Sequence, residues 1–164
     1  MQTRRALTAG VLATGLALAL LSGACAQQDD GGEATTIGVT LQEWSVIPDE
    51  SSAPAGEIGF EVSNAGEDDH EFMVVRTELG LTALPSKKDG SFDEDGDDIE
   101  IVDATNAAAH GGDDHETVEP GEAKTFEYDL DEGSYVLMCN LVDEEDDEKE
   151  VHFKLGMRIP FEVS

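Results

Sequence analysis

Short stretches in which hydrophobic and polar residues alternate recur along this chain. The alternation is clearest at residues 58–62 and 125–130, as expected for strands that bury one face in a core. Further strands are predicted at residues 37–41 with a continuation through Trp44 and Val46 after a bulge or break, 72–75, 135–139 and 157–163. Because turn residues separate these strands and helical periodicity is almost absent, the pattern predicts an all-β protein built as a β-sandwich.

Two regions depart from this regular pattern. Pro160 implies an edge or a bulge in the last strand, because proline cannot donate a hydrogen bond to a neighbouring strand. In the middle of the chain, short helical turns are predicted within residues 79–85 and 99–109. The acids around Gly96 do not form an EF-hand, since the frame that makes Gly96 the sixth residue puts Val102 where the motif requires glutamate. We interpret them as an exposed acidic turn.

The amino terminus has the features of an export signal. Arg4 and Arg5 precede a largely apolar run of 16 residues, and small residues lead from that run to Cys25. The pattern resembles a bacterial lipobox, in which Cys25 would carry the lipid, and the two arginines weakly resemble a twin-arginine signal. An ordinary cleaved signal and a membrane anchor are the alternatives, although the run is short for a membrane span.

These features divide the chain into three parts. Residues 1–24 are interpreted as a signal peptide of the lipoprotein type, residues 25–35 as a polar tether, and residues 36–164 as the folded domain. Acidic insertions are predicted within that domain at about 79–120 and at 143–150.

Charge narrows the class of partner. The 164 residues include 38 acids against nine lysines and arginines, giving a net charge of −29, which argues against nucleic-acid binding because phosphate contacts need cations. The acidic excess could guide a cationic partner, keep the protein soluble in high salt, or capture copper through loose carboxylates. Because the charge is spread along the chain, salt adaptation or general solubility has at least equal weight with docking.

A set of soft metal donors lies near the carboxyl terminus. If Cys25 is lipidated, Cys139 is the only remaining thiol, so it has no partner for an internal disulfide and is either a metal ligand or a buried core residue. His152 and Met157 follow it, which favours the ligand interpretation. A thiolate, an imidazole and a thioether suit copper, and His70 supplies the second imidazole of a blue-copper donor set.

Three segments carry a resemblance to a known family. EIGFEVSNAG at 57–66, HEF at 70–72 and GSYVLMCN at 133–140 resemble the cupredoxins, the blue copper proteins of the plastocyanin, halocyanin and rusticyanin types. The resemblance implies a Greek-key β-sandwich that holds one copper ion. His70 would be the first ligand, and the other three would be Cys139, His152 and Met157.

The resemblance also implies a route for electrons, and this chain departs from the family pattern at one place. His152 would lie near the surface as the electron port, with Phe153 and Met157 as its apolar rim. Twelve residues separate Cys139 from His152, where the family usually has only a few. Residues 143–150 comprise seven acids and one lysine, so we interpret them as a solvated excursion that leaves both ends of the loop in place.

The expected function is therefore single-electron transfer between redox partners outside the cytoplasm. The protein would be an exported bacterial or archaeal lipoprotein at the outer membrane face or in the periplasm. We expect a monomer, anchored by lipid, that meets a redox protein such as a cytochrome or an oxidase. The alternative is a copper-binding or delivery protein, or a non-redox cupredoxin-like module of a membrane complex.

An enzyme is not expected, because multicopper oxidases need further histidine clusters. The two remaining histidines, His110 and His115, could capture copper or zinc at the surface, but solvated loop histidines are the simpler interpretation.

Overall fold

The computed structural model describes residues 35–106, 117–145 and 148–164. The predicted signal peptide with its basic residues, the lipidation site Cys25, the tether up to residue 34, and both His110 and His115 lie outside the described residues.

The first of two main β-sheets is formed mostly by the amino-terminal half of the domain. Its strands are β1 (Thr35–Gln42), β2 (Ser45–Pro48), β4 (Gly56–Asn64) and β9 (Ala123–Leu130). They lie in the order β2-β1-β4-β9, with β1 parallel to β4 and the other pairs antiparallel. The predicted break between the first two strands is confirmed, because a turn at residues 43–44 separates β1 from β2.

The second main sheet carries the strands that lead into and out of the candidate site. Its members are β3 (Ser52–Ala53), β6 (Met73–Arg76), β7 (Glu100–Val102), β10 (Gly133–Met138) and β13 (Arg158–Val163). They lie in the order β3-β13-β10-β6-β7. Because the chain crosses between the sheets and strand neighbours are not consecutive, the fold is the predicted Greek-key β-sandwich.

The described strands also form two small ladders, and one short helical turn follows them. The ladders pair β5 (His70–Glu71) with β8 (Thr117–Val118), and β11 (Val142–Glu145) with β12 (Glu148–Val151). The helical turn α1 (His152–Leu155) follows β12 directly. No helix in the described part of the chain has the length and hydropathy that a membrane crossing requires.

Aromatic side chains fill the core between the two sheets. Phe60 of β4 is fully buried, and its ring centroid lies 5.4 Å from Phe72, 5.7 Å from Tyr128 and 5.5 Å from Phe161. Because Phe161 belongs to β13, these contacts join the two sheets. The alternation in the sequence therefore marked the core face of the first sheet correctly.

A second, smaller core covers the outer face of the second sheet. Residues 79–99 cross that face and bury Leu84 and Phe92 against it. The buried residues of this cluster are Met73, Val75, Leu84, Phe92, Val136, Met138 and Phe153. Both faces of β6 and β10 are consequently buried, which explains why their sequences are continuously hydrophobic rather than alternating.

The local predictions for the irregular regions had mixed outcomes. Within residues 79–85, Ala83 donates a backbone hydrogen bond to Gly80 at 2.8 Å, so a single turn forms there. Within residues 99–109, Glu100–Val102 pairs with β6 as an edge strand, so no helical turn forms at that end. Residues 105–106 form a turn, and residues 107–109 lie outside the described residues, so the helical turn there stays a prediction.

The edge predicted at Pro160 is confirmed. Pro160 lies opposite Val136 of β10, whereas β3 pairs with β13 only at Glu162 and Val163. The missing N–H of Pro160 therefore lies in the part of β13 that β3 does not cover.

Candidate metal centre

Three buried donors converge at the point where β5 meets the loop between β10 and β13. The Nδ1 atoms of His70 and His152 are 3.2 Å apart, and the Sγ atom of Cys139 is 3.3 Å from Nδ1 of His152. One ligand atom from each residue lies within 4.8 Å of the others. All three side chains are fully buried. The structure thus brings together three of the four residues that the sequence predicted as ligands.

His70 is held by a loop that Asn64 braces. His70 pairs with Val118 across the β5–β8 ladder. The buried Asn64 amide donates hydrogen bonds to the carbonyl oxygens of Asp68 and Val118, at 2.7 and 2.8 Å, and its oxygen accepts one from the Gly66 backbone at 2.8 Å. Since one buried side chain satisfies three backbone groups, the loop that carries His70 has little freedom.

Cys139 directly follows β10, and its sulfur receives a backbone hydrogen bond. The Glu71 N–H donates to Sγ of Cys139 at 3.2 Å. Burial raises the pKa of the Cys139 thiol to about 12, although hydrogen bonds from the backbone of Glu71 and Leu141 act in the opposite direction. A bound metal cation would supply the positive charge that stabilises the thiolate at this buried position.

The acidic insert forms a hairpin that closes the long ligand loop. Val142 pairs with Val151 at the base of β11 and β12, and the His152 N–H donates to the Leu141 carbonyl oxygen at 3.0 Å. The twelve residues between Cys139 and His152 therefore leave and return at adjacent points. The prediction that the insert leaves both loop ends in place is confirmed.

Met157 is fully buried beside the same loop. Its N–H donates to the His152 carbonyl oxygen at 3.1 Å, and its own carbonyl oxygen accepts from the Cys139 N–H at 3.0 Å. Gly156, with φ of 120°, ends α1 and makes the tight return possible. These bonds fix the Met157 backbone beside Cys139. The axial role of its sulfur stays a prediction.

The surroundings of both histidines favour the neutral imidazole, which is the form that binds a metal ion. Burial lowers the pKa of His70, although the charge of Glu43 partly opposes it, and burial together with the charge of His70 lowers the pKa of His152. The Nε2 atoms of both residues are buried and have no hydrogen-bond partner among the described residues. The inward-facing Nδ1 atoms are therefore the ones available to a metal ion.

The predicted surface position of His152 is wrong. The Trp44 ring packs edge-on against His152, with centroids 4.9 Å apart and planes at 67°, and this contact covers the imidazole. Phe153 does not form an apolar rim either, because it is buried against Phe92 in the second core, with ring centroids 5.3 Å apart. In the sequence, the only hint that His152 would be covered was a large aromatic residue, Trp44, at the break between two predicted strands.

Two further residues near the site have roles that the sequence did not indicate. Asn140 follows the cysteine, accepts a hydrogen bond from the Phe92 N–H at 2.7 Å, and donates one to the Glu94 carboxylate at 2.6 Å. It thereby ties the ligand loop to the segment that covers the second sheet. Glu43 lies on the other side of the site, with Oε1 3.5 Å from Nε2 of His70.

The donor chemistry fits one copper ion. A thiolate and two imidazoles are soft and intermediate donors, and a trigonal His2Cys set with a weak axial thioether is typical of blue copper centres. The convergence of two Nδ1 atoms with one sulfur in a fully buried setting is compatible with such a set.

Comparison with solved structures supports the fold. The chain is 19% identical to an auracyanin from Roseiflexus castenholzii, covering 81% of this chain and 99% of that one with a TM-score of 0.50. Auracyanin A from Chloroflexus aurantiacus, described as a blue copper protein, is 16% identical, with coverage of 79% and 98% and a TM-score of 0.46. A multicopper oxidase from Campylobacter jejuni is 15% identical, with coverage of 79% and 29% and a TM-score of 0.38.

No family model and no curated protein matches the sequence. The sheet order, the core and the similarity to the Roseiflexus protein nevertheless define the class of fold. The chain has the cupredoxin fold, as the resemblance in its sequence predicted.

Proposed function

We propose that this protein binds one copper ion in a blue copper centre and carries single electrons between redox partners. His70, Cys139 and His152 would be the three strong ligands, and Met157 the weak axial one. The observation that carries the proposal is the convergence of three fully buried side chains, with 3.2 Å between the two Nδ1 atoms and 3.3 Å between the Cys139 sulfur and Nδ1 of His152.

An electron carrier needs ligands that move little when the metal changes oxidation state, and the surrounding chain would hold them in place. The copper ion would supply the one-electron couple between Cu(I) and Cu(II). His70 is fixed by the β5–β8 ladder, and Cys139 by its backbone hydrogen bond to Met157. Because these attachments are made by backbone groups of paired strands and their immediate ends, the ligands would hold one arrangement in both oxidation states.

Burial of the ligands favours a resident ion over one that is handed on. His70, Cys139 and His152 are each 0% exposed, and Trp44 covers one imidazole. A delivery protein must offer its metal to a partner, which requires at least one accessible ligand. The delivery alternative therefore has less support from this geometry than electron transfer does.

Cellular location and partners belong to the same proposal. An exported, lipid-anchored protein at the outer membrane face or in the periplasm would meet a cytochrome or an oxidase there. The similarity to the Roseiflexus auracyanin, which is covered over 99% of its own chain, supports a small single-domain carrier rather than an enzyme. The net charge of −29 would favour a cationic partner surface.

The absorption spectrum of the copper-loaded protein tests the proposal. We expect an intense visible band from charge transfer between the Cys139 thiolate and Cu(II), which disappears on reduction and returns on oxidation. The zinc-loaded protein is the matched control and should be colourless. A copper-loaded, folded protein without this band would contradict the proposal.

A further inference from the structure

The turn between β1 and β2 contacts both candidate histidine ligands. Its two residues act on different imidazoles: Trp44 packs on the ring of His152, and Glu43 places Oε1 3.5 Å from Nε2 of His70. The two histidines therefore have unlike surroundings. One faces an aromatic ring, and the other faces a carboxylate.

The Glu43 carboxylate is held in place rather than free to move. The backbone N–H groups of Glu67 and Asp68 donate to its Oε1 at 2.7 and 3.0 Å. Gly66 leaves the room for this arrangement, because a Cβ atom at that position would collide with the carboxylate. The side chain is 27% exposed, whereas His70 is fully buried.

The buried Nε2 atom of His70 needs an acceptor once the other ring nitrogen is used. A neutral imidazole that binds a metal through Nδ1 carries its proton on Nε2. That atom has no hydrogen-bond partner among the described residues, and 3.5 Å from Oε1 is an ion-pair distance rather than a formed hydrogen bond. An unsatisfied buried donor is costly, so a small approach of the two groups would be favourable.

We propose that Glu43 is a positioning residue for His70, accepting the Nε2–H bond while Nδ1 binds the metal. The inference rests on the proposed function for the identity of the ligand. A carboxylate on the outer nitrogen fixes the tautomer and ring orientation and makes the imidazole a stronger donor. A stronger donor stabilises Cu(II) more than Cu(I), so Glu43 lowers the reduction potential. His152 has no such carboxylate contact among the described residues.

The main test compares Glu43→Gln with Glu57→Gln in the copper-loaded protein. Both changes remove one negative charge, but Glu57 is exposed at the far end of β4 from Asn64 and the His70 loop. We expect Glu43→Gln to weaken Cu(II) binding relative to Cu(I) by about tenfold, which raises the potential by about 59 mV. Glu57→Gln should change it far less. An equal shift in both variants, or none in Glu43→Gln, would overturn the proposal.

A second measurement keeps the test separate from the proposed function. In the diamagnetic zinc-loaded or Cu(I)-loaded protein, nuclear magnetic resonance should detect a slowly exchanging Nε2–H proton on His70. That proton should exchange faster in Glu43→Gln, and Glu43→Asp should restore part of the protection. If the copper-loaded protein is colourless but the His70 proton exchanges as expected in these variants, the blue-copper proposal is contradicted and the role of Glu43 stands. A rapidly exchanging proton in the wild type would overturn the role of Glu43.

Discussion

Val142 and Val151 are directly paired at the base of the β11–β12 hairpin, and this pairing returns the chain to the site after the acidic insert. The next residue, His152, donates its N–H to Leu141 and places its Nδ1 atom 3.3 Å from the Cys139 sulfur. A long separation in sequence thus becomes a short one in space. The insert is a charged hairpin whose paired base lies next to the two ligands.

This pairing makes the hairpin removable. Deleting residues 143–150 joins Val142 to Val151, and paired Cα atoms are only about 4.5–5.5 Å apart, against 3.8 Å across a peptide bond. A variant with Asn-Gly in place of the eight residues should close the same pair with a two-residue turn. We expect both variants to keep the blue absorption. Loss of copper binding in both would mean that the hairpin shapes the site.

Charge removal can be separated from the change in loop length. The deletion removes seven negative charges and one positive charge, so the net charge changes by +6. The matched full-length variant changes six acids of the insert to their amides and so also shifts the net charge by +6; the positions are Asp143, Glu144, Glu145, Asp146, Asp147 and Glu150. With a cationic redox partner, we expect slower association for both variants at low ionic strength, and smaller differences as salt screens the field. Unchanged association rates would leave solubility as the role of the insert.

The sulfur of Cys139 is expected to be the source of colour. Cys139→Ser should abolish the intense visible band because thiolate-to-copper charge transfer requires the sulfur. The fold should survive, since the serine oxygen can accept the hydrogen bond that Glu71 now donates to sulfur. Absorption and far-ultraviolet circular dichroism measure the two effects. A coloured serine variant would show that the ligand assignment is wrong.

Met157→Leu tests the axial ligand. The thioether preferentially stabilises the oxidised ion, so its loss should raise the reduction potential while copper stays bound. We expect a change in the ratio of Cu(II) to Cu(I) affinity of about tenfold, or about 59 mV. Leucine keeps the buried volume at this fully buried position. An unchanged potential in the copper-loaded variant would exclude Met157 as the axial donor.

Trp44 is expected to shield His152 from water. Trp44→Ala should expose the imidazole that the ring now covers at 4.9 Å, whereas Trp44→Phe keeps an aromatic cover. Hydrogen exchange of the His152 Nε2–H in the Cu(I) protein measures the difference. We expect faster exchange in the alanine variant and near-native exchange in the phenylalanine variant. Equal exchange in all three proteins would mean that other groups provide the cover.

Phe60 is expected to be a main contributor to stability. Its fully buried ring contacts both sheets, so Phe60→Ala should lower the free energy of unfolding by about 3–5 kcal/mol. The control Ile47→Ala removes a side chain that is 45% exposed and should cost only about 0.5 kcal/mol or less. Urea denaturation of the metal-free protein measures both. A loss below about 1 kcal/mol for Phe60→Ala would contradict the assigned core.

The sequence alone determined the fold class and the identity of the candidate donors. Alternation at residues 58–62 and 125–130 reflects the buried face of β4 and β9, because successive side chains of a strand point to opposite faces. Cys139 and His152 were recognisable because thiols and imidazoles have few structural roles that require them in this order. The ability of a thiol or an imidazole to bind a metal is a property of the residue itself, so the sequence is enough to recognise it.

Only the tertiary structure decided what surrounds those donors. The burial of His152 depends on Trp44, and the carboxylate near His70 belongs to Glu43, both from a turn that is distant in sequence. The strand at Glu100–Val102 forms because β6 offers an open edge, which the local sequence does not encode. Side-chain type fixed which atoms could bind a metal, whereas long-range packing fixed which of them meet, how deeply they are buried and what covers them.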